Sequence, residues 1–227
     1  MKAIVTRITF YEAFFKVHYT KKFRLTYPIP LPTSVAGIFG AMLGIDRGKI
    51  EEKFSEFYFG ARLLKHEGMI IENETFLQYK KHKTDHGIAD AVKGTVRTHI
   101  INHPTYIIAM AGKEEIFEYY NFIKDHSFVY LPYGGQNDFF VEDIEIKGLA
   151  NVVQSDIVSN YAPQDMVKEF KSKEIVISIL PVVHTYSSNP NFCFVLKGQL
   201  KLKESVKVVE NTNIALYPLE WFNIVKG

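Results

Sequence analysis

The sequence contains little cysteine and no long hydrophobic run. Cys193 is the one cysteine among 227 residues, so no disulfide can form within the chain and a cysteine-based zinc site is excluded. The longest apolar stretch, residues 35–45, is about half of a membrane span, and the first ten residues interrupt their apolar positions with threonine and arginine. These absences predict a cytoplasmic protein with no membrane partner.

Motifs for nucleotides and metals are absent as well. Neither G-x-x-x-x-G-K-[ST] nor G-x-G-x-x-G occurs, which argues against nucleotide binding. The sequence has no H-E-x-x-H, and its acidic residues lack the loop spacing of a hard-cation site. We therefore predict neither a cofactor nor a metal site.

Positive charge is concentrated in the first half of the chain, although the net charge is only +2. Residues 1–110 hold 16 basic and 10 acidic residues, a net charge of +6. Residues 111–227 hold the other 11 basic and 15 acidic residues, a net charge of −4. A basic half is typical of a surface that contacts nucleic acid, so we expect any such surface in the first half.

The first half alternates strand and helix patterns. Alternating apolar residues rich in β-branched and aromatic types predict a strand over residues 2–17. Residues 18–32 carry three prolines at alternate positions, which predicts a stiff, extended and basic loop. Apolar residues at helical spacing then predict a helix capped by Thr33 or Ser34. The remaining predictions here are helices over 47–57 and 113–126 and strands over 58–65, 69–79 and 104–111.

Residues 80–99 differ from their surroundings, because they contain few large apolar residues and two glycines. We expect an exposed basic insertion that is mobile near residues 80–96. The order of elements around it is β, α, β, β, then β, α. This order predicts an α+β protein with a ferredoxin-like (RNA-recognition-motif-like) core and a β-rich insertion.

The second half is predicted to be β-rich. Strand patterns occupy residues 139–146, 175–184, 192–196 and 205–214, separated by Gly, Pro, Asn and Ser clusters. No linker-like segment divides the chain. We therefore divide it into an RNA-binding half, residues 1–130, and a β-rich C-terminal part, residues 131–227, which can belong to the same domain.

The predicted first helix carries small residues, Gly37, Gly40, Ala41 and Gly44, on one face. An interior glycine costs about 1 kcal/mol relative to alanine, so a close neighbour must explain it. Two interpretations stay open: tight packing of the helix on its own sheet, or close approach by an RNA backbone or a partner subunit.

Three segments resemble one known family. Residues 23–44, FRLTYPIPLPTSVAGIFGAMLG, are similar to the N-terminal signature of the fifth CRISPR-associated protein family, a Tyr-Pro-x-Pro loop followed by a glycine-spaced helix. Arg97 with the sequence His-Pro-Thr-Tyr at 103–106 resembles that family's Arg and Asn-Pro-x-Tyr. The sequence YGGQNDF at 133–139 resembles its glycine-rich loop.

The resemblance implies a role in CRISPR antiviral defence. It implies a non-catalytic subunit of a type I effector complex of the Cascade kind, which binds the 5′ handle of the guide RNA. It also implies contacts with the backbone subunit, from the seventh family, and with the large subunit.

Cations and aromatic rings are the groups that usually hold single-stranded RNA. The proline loop and the insertion supply both, and the glycines and amides of the third motif could cradle a phosphate or a flipped base. The candidate RNA-binding residues are His18, Tyr19, Lys21, Lys22, Arg24, Tyr27, Lys80, Lys81, His82, Lys83, Arg97, Gly134, Gly135, Gln136 and Asn137.

Two other functions remain as alternatives. One branch of the resembled family cleaves the guide precursor, and a metal-independent endoribonuclease here would draw on residue types such as those of Lys81, His82, His86 and Tyr27. No spacing fixes these residues in one site, so we expect no catalytic residue. The second alternative is a protein-interaction module that binds no RNA, with aromatic residues such as Trp221 as anchors.

Overall fold

The computed structural model describes residues 1–80 and 90–222, which form three α-helices and thirteen β-strands. The helices are α1 (Pro32–Leu43), α2 (Ile50–Lys53) and α3 (Glu115–Ile123). The strands are β1 (Lys2–Phe10), β2 (Glu12–Ala13), β3 (Phe23–Arg24), β4 (Tyr58–Lys65), β5 (Met69–Lys80), β6 (Asp90–Asn102), β7 (Thr105–Gly112), β8 (Val141–Val158), β9 (Tyr161–Pro163), β10 (Val167–Pro181), β11 (Asn191–Val209), β12 (Ile214–Ala215) and β13 (Tyr217–Pro218). This is a strand-rich α+β protein.

The larger sheet runs in the order β10-β11-β8-β1-β7-β4-β13, with β9 and β12 also paired to β11. Ladders β1–β7, β1–β8 and β4–β7 are all antiparallel. The segment 214–218 pairs first with β11 and then with β4, although three strands separate these two in the sheet. The sheet must therefore curl. Gly60 allows this closure, because a Cβ there would lie 2.2 Å from the carbonyl oxygen of Ala215.

Both long helices pack on the same side of this sheet, α1 against β4 and β7 and α3 against β1, β7 and β8, and they contact each other. The core lies between the helices and the sheet. A smaller buried cluster, which includes Ala3, Val5 and Leu216, lies on the opposite side of β1 and β7. Burial on both sides explains why the first strand alternates imperfectly.

Helix α1 begins two to three residues earlier than expected. Its N-cap is Leu31 with Pro32 as the first helical residue, so the predicted cap by Thr33 or Ser34 is wrong. The helix ends at Gly44, whose φ of 72° is the left-handed conformation that suits glycine. The predicted helix over 47–57 is also wrong in extent: a 3-10 turn over Arg47–Lys49 leads into the single turn of α2.

A second sheet is built on the β5–β6 hairpin, which lies in sequence between β4 and β7. β6 pairs with β5 along its whole length, and on its other side with β2 and, in parallel, with β3. Within the insertion predicted over 80–99, residues 90–99 belong to β6, for which no strand was predicted. Residues 81–89 lie outside the described part, as does the predicted mobility there.

The second half is β-rich, as predicted, but its strands are longer. β8 extends to Val158, and β11 pairs with β8, so residues after 131 extend the same sheet that the first half begins. In the residues that the structure describes, no helix is long and apolar enough to cross a membrane.

Candidate nucleic-acid interface

One face of the β5–β6 hairpin carries basic side chains beside an aromatic ring. Lys93, Arg97 and His99 occupy alternate positions of β6 and therefore point to the same side. β3 places Phe23 opposite Arg97, and the Arg97 guanidinium carbon lies 5.6 Å from the Phe23 ring centroid. We call Phe23, Lys93, Arg97 and His99 the cationic face.

The proline loop joins the cationic face at its centre. The backbone N–H of Arg97 donates to the carbonyl of Lys22 at 3.1 Å, and the side chains of Lys21 and Lys22 are exposed. Phe23 is 57% exposed, so its ring is open to a stacking partner. Two separately predicted groups, the loop cations and Arg97, are thus brought together.

Glu74 lies on the opposite face of the hairpin. It accepts a hydrogen bond from the Thr98 hydroxyl at 2.7 Å and pairs with Arg24 at 3.4 Å. Glu72 occupies the next alternate position and so also lies on that face. Among the described hairpin side chains, the cationic face therefore has no carboxylate. Arg24, predicted to bind RNA, is paired within the protein instead.

Tyr27 is not available to a base, which corrects the prediction made for it. Its side chain is 2% exposed, its hydroxyl donates to the carbonyl of Pro181 at 2.9 Å, and its ring stacks on Phe194. Desolvation raises the pKa of Tyr27, with a smaller contribution from Tyr19. The ring therefore anchors the proline loop to the C-terminal strands.

His18 and Tyr19 lie at the surface, where the loop leaves the core. Tyr19 is 51% exposed. Partial burial, and then the charge of Lys16, lower the pKa of His18. The lowered pKa favours the neutral imidazole, which offers a hydrogen bond rather than a positive charge to RNA.

The glycine-rich loop packs against β2. A Cβ on Gly134 would meet the carbonyl oxygen of Glu12 at 2.6 Å, and one on Gly135 would meet that of Phe14 at 2.1 Å. The Gly134 N–H donates to Phe139 and the Gly135 N–H to Tyr133. The prediction that these glycines cradle a phosphate is therefore wrong, because both N–H groups are used inside the loop.

A groove of about 880 Å³ lies between this loop, the proline loop and α1. Apolar side chains such as Leu31 and Ile38 line it, and Lys16, Arg47 and Gln136 bring polar groups to it. Tyr130 is 65% exposed and Tyr133 47%, so two aromatic rings also reach it from solvent. Basic groups, exposed aromatic rings and an amide are the groups that hold an unstacked nucleotide.

The small residues of α1 serve different purposes. Gly40 is buried, and a Cβ there would lie 3.1 Å from Cδ1 of Ile50, so it packs against its own chain. Gly37 lines the groove, and a Cβ there would have no atom within 4 Å. Packing explains the first glycine, and only the second leaves space for another molecule.

Four of the predicted residues have little or no structural account. Lys80 is the last residue of β5, and Lys81, His82 and Lys83 lie outside the described residues, as does His86.

Gln136 is half-buried in the groove wall, and Asn137 is exposed. Within residues 1–80 and 90–222, no group of three or more His, Cys, Asp or Glu side chains is arranged to hold a metal.

The sequence did not predict an RNA-binding role for Phe23, His99, Lys16 or Arg47, whereas Lys93 belongs to the basic insertion that was considered for RNA binding. A signal existed for His99, since Lys93, Thr95, Arg97 and His99 alternate with apolar or small residues in period two. No comparable signal marks Lys16 or Arg47, which line the same groove only because separate segments of the chain pack together.

No family model and no curated protein matches this sequence. Among solved structures, a CRISPR protein from Archaeoglobus fulgidus is similar over 96% of this chain and 100% of its own, with a TM-score of 0.55 and 10% identity. The chain shares the fold of a CRISPR protein. A chain of a CRISPR RNA-guided surveillance complex gives a TM-score of 0.49 at 14% identity, covering 95% of this chain and 91% of its own. A Cas protein gives 0.46 at 14%, covering 91% and 94%.

Proposed function

We propose that this chain is a subunit of a CRISPR effector complex that binds the 5′ handle of the guide RNA without cutting it. The observation that carries the proposal is the cationic face, where Arg97 lies beside the exposed ring of Phe23, Lys93 follows on the same side of β6, and the exposed Lys21 and Lys22 come directly before Phe23. Positive groups bind phosphates, while an exposed ring stacks under a base, and together they suit single-stranded RNA.

The strand order supports membership of the fifth CRISPR-associated family. In chain order, β1, α1, β4, β7, α3 and β8 form a β-α-β-β-α-β unit whose strands lie as β8-β1-β7-β4. We infer a ferredoxin-like core from this arrangement, with the hairpin inserted between its second and third strands. The motifs at 23–44 and 133–139 favour the same family.

The groove extends the RNA path in this proposal. Lys16, just before the proline loop, and His18 within it line the groove, and the loop continues to Lys21 and Lys22 beside the cationic face. One RNA strand can therefore lie along the loop, with phosphates at the cationic face and an unstacked base between α1 and Tyr133. The proposed protein partners, the backbone and large subunits, require other surfaces.

A binding role is favoured over ribonuclease activity. Metal-independent cleavage needs a base for the 2′-hydroxyl and a group that stabilises the developing charge. Tyr27, one of the four residues considered for that chemistry, is buried, and its hydroxyl donates a hydrogen bond to the Pro181 carbonyl. We therefore propose that the chain holds the RNA and leaves cleavage to another protein.

Charge reversal on the cationic face tests the proposal. The variant Lys21→Glu, Lys22→Glu, Arg97→Glu should bind a repeat-derived handle RNA at least tenfold more weakly while keeping its circular dichroism spectrum. The matched control, Lys168→Glu, Lys171→Glu, Lys203→Glu, changes three exposed lysines on β10 and β11 and should bind as the parent does. Equal affinity of the two folded variants would remove the cationic face from the site.

A further inference from the structure

The imidazole of His103 lies between two carboxylates at the root of the β5–β6 hairpin. Its Nδ1 is 3.0 Å from Oε1 of Glu67, and its Nε2 is 2.5 Å from Oε2 of Glu142. Glu67 lies just before β5, whereas Glu142 lies in β8 of the larger sheet. One ring thus connects the hairpin to the sheet that forms the core.

The backbone holds this ring in place. The Glu67 N–H donates to the Asn102 carbonyl at 2.9 Å and the Asn102 N–H to the Gly68 carbonyl at 3.0 Å, which closes the root of the hairpin. The His103 N–H donates to the carbonyl of Tyr11, and His103 has a φ of 46°. A positive φ is uncommon outside glycine, so the surrounding contacts must impose it.

The chemistry of the two partners makes the contact depend on one proton. An ionised carboxylate only accepts hydrogen bonds, and a neutral imidazole has a single N–H. The protonated ring alone can donate to Glu67 and Glu142 together. Once it is neutral, one ring nitrogen directs a lone pair at a carboxylate, and that contact is repulsive.

Two titratable neighbours of the carboxylates have partners of their own. Asp143, next to Glu142 in β8, pairs with Arg7 of β1, and Nδ1 of His66, beside Glu67, accepts the N–H of Gly68. The other charged residues on strands near the root are Glu12 in β2 and Lys65 in β4.

We propose that His103 is a proton-operated clamp that ties the root of the hairpin to β8 and releases it on deprotonation. Because the hairpin carries the cationic face, the clamp would regulate the RNA site, and that consequence rests on the function proposed above. The clamp itself can be tested on the protein without RNA.

The direction of the pH effect follows from the geometry. Hydrogen bonds to Glu142 and then to Glu67 raise the pKa of His103. A raised pKa means that the protonated form favours the closed root, so the contribution is complete below the ordinary histidine pKa of about 6.5 and is lost as the pH rises through the raised value.

Two measurements on the intact chain test the clamp. NMR titration of the His103 ring gives its pKa, and hydrogen exchange at the Glu67 and Asn102 amides, corrected for intrinsic rate, gives the opening constant of the root. The opening constant should increase as the pH rises through the pKa of His103. The total increase, as a base-10 logarithm, should equal the measured pKa minus about 6.5. Opening that is independent of pH would overturn the proposal.

Three variants assign the effect to this ring. His103→Gln should abolish the pH dependence of root opening, and Glu142→Gln should lower the pKa of His103 and reduce the dependence. His66→Gln, at the same turn, should preserve it. A pH dependence that survives in His103→Gln, or disappears in His66→Gln, would contradict the clamp.

RNA affinity then separates the two proposals. If the clamp regulates the RNA site, handle affinity should follow the same pH dependence in the parent and lose it in His103→Gln. Affinity that does not follow a confirmed clamp would overturn its regulatory role alone. An absence of RNA binding at every pH would overturn the proposed function.

Discussion

Two glycines of α1, Gly37 and Gly40, should respond to the same substitution in opposite ways. Leucine in place of a helical glycine gains about 0.5–1 kcal/mol of helix propensity at either position. At Gly40 the new Cβ would lie 3.1 Å from Cδ1 and 3.3 Å from Cγ1 of Ile50, and the rest of the side chain would follow into a buried space. Overpacking of this kind costs about 1–3 kcal/mol.

The net expectation for Gly40→Leu is a loss of about 0.5–2 kcal/mol, or several degrees in melting temperature for a chain of this length. Gly37→Leu meets no atom within 4 Å at its Cβ, so it should keep the propensity gain and melt about 1–4 °C above the parent. Its side chain would also occupy the groove, and loss of a stacked base there should weaken RNA binding about fivefold to a hundredfold.

Thermal melting with fluorescence-anisotropy binding to handle RNA measures both effects. The alanine pair provides the control, since Gly37→Ala should be stabilised with little change in affinity, and Gly40→Ala should be close to neutral because the end of Ile50 can move. Equal melting shifts for the two leucine variants would refute the packing argument. A stabilised Gly37→Leu that binds RNA as the parent does would remove the groove from the RNA path.

The remaining predictions concern the loop anchor and the chemistry. Tyr27→Phe should lose about 1 kcal/mol of stability in urea unfolding, because the Pro181 carbonyl loses its donor, and should bind RNA as before; a binding defect in the folded variant would restore Tyr27 to the site. Labelled repeat RNA incubated in EDTA should remain intact, whereas specific cutting at the base of the handle, lost in Lys81→Ala, His82→Ala, would establish ribonuclease activity. Phe23→Leu should weaken binding by about 1–3 kcal/mol while preserving the salt dependence, since it removes a stacking ring and no charge; a reduced salt slope would contradict that assignment.

Several strands and helices of the first half were predicted well from local sequence patterns. Strands β4, β5 and β7 match the predicted ranges to within one residue and helix α3 to within three. The apolar residues of α3 keep helical spacing, and Gly68 separates β4 from β5. No strand was predicted for β6, because Gly94 and the scarcity of large apolar residues around it leave no clear strand pattern. The ring of Phe76, across the hairpin on β5, covers Gly94, and this pairing could not be read from either segment alone.

The candidate site was predicted by residue type more reliably than by role. Lys21, Lys22 and Arg97 are exposed. The parallel pairing of β3 with β6 brings them close together, which the sequence did not predict. The predictions that Tyr27 and Arg24 bind RNA were wrong for a physical reason. The sequence shows an aromatic ring and a charge, but their partners lie far along the chain: Pro181 accepts from Tyr27, and Glu74 pairs with Arg24.

The salt dependence of binding to handle RNA tests the central claim most directly. If Lys21, Lys22, Lys93 and Arg97 each neutralise one phosphate, the single-strand slope of about −0.7 per contact gives log K falling by about 2.8 per tenfold rise in salt. Affinity for the handle should then drop about fiftyfold between 50 and 200 mM salt, and the charge-reversed variant should show a much shallower slope. A slope near zero in the parent protein would contradict RNA binding through the cationic face.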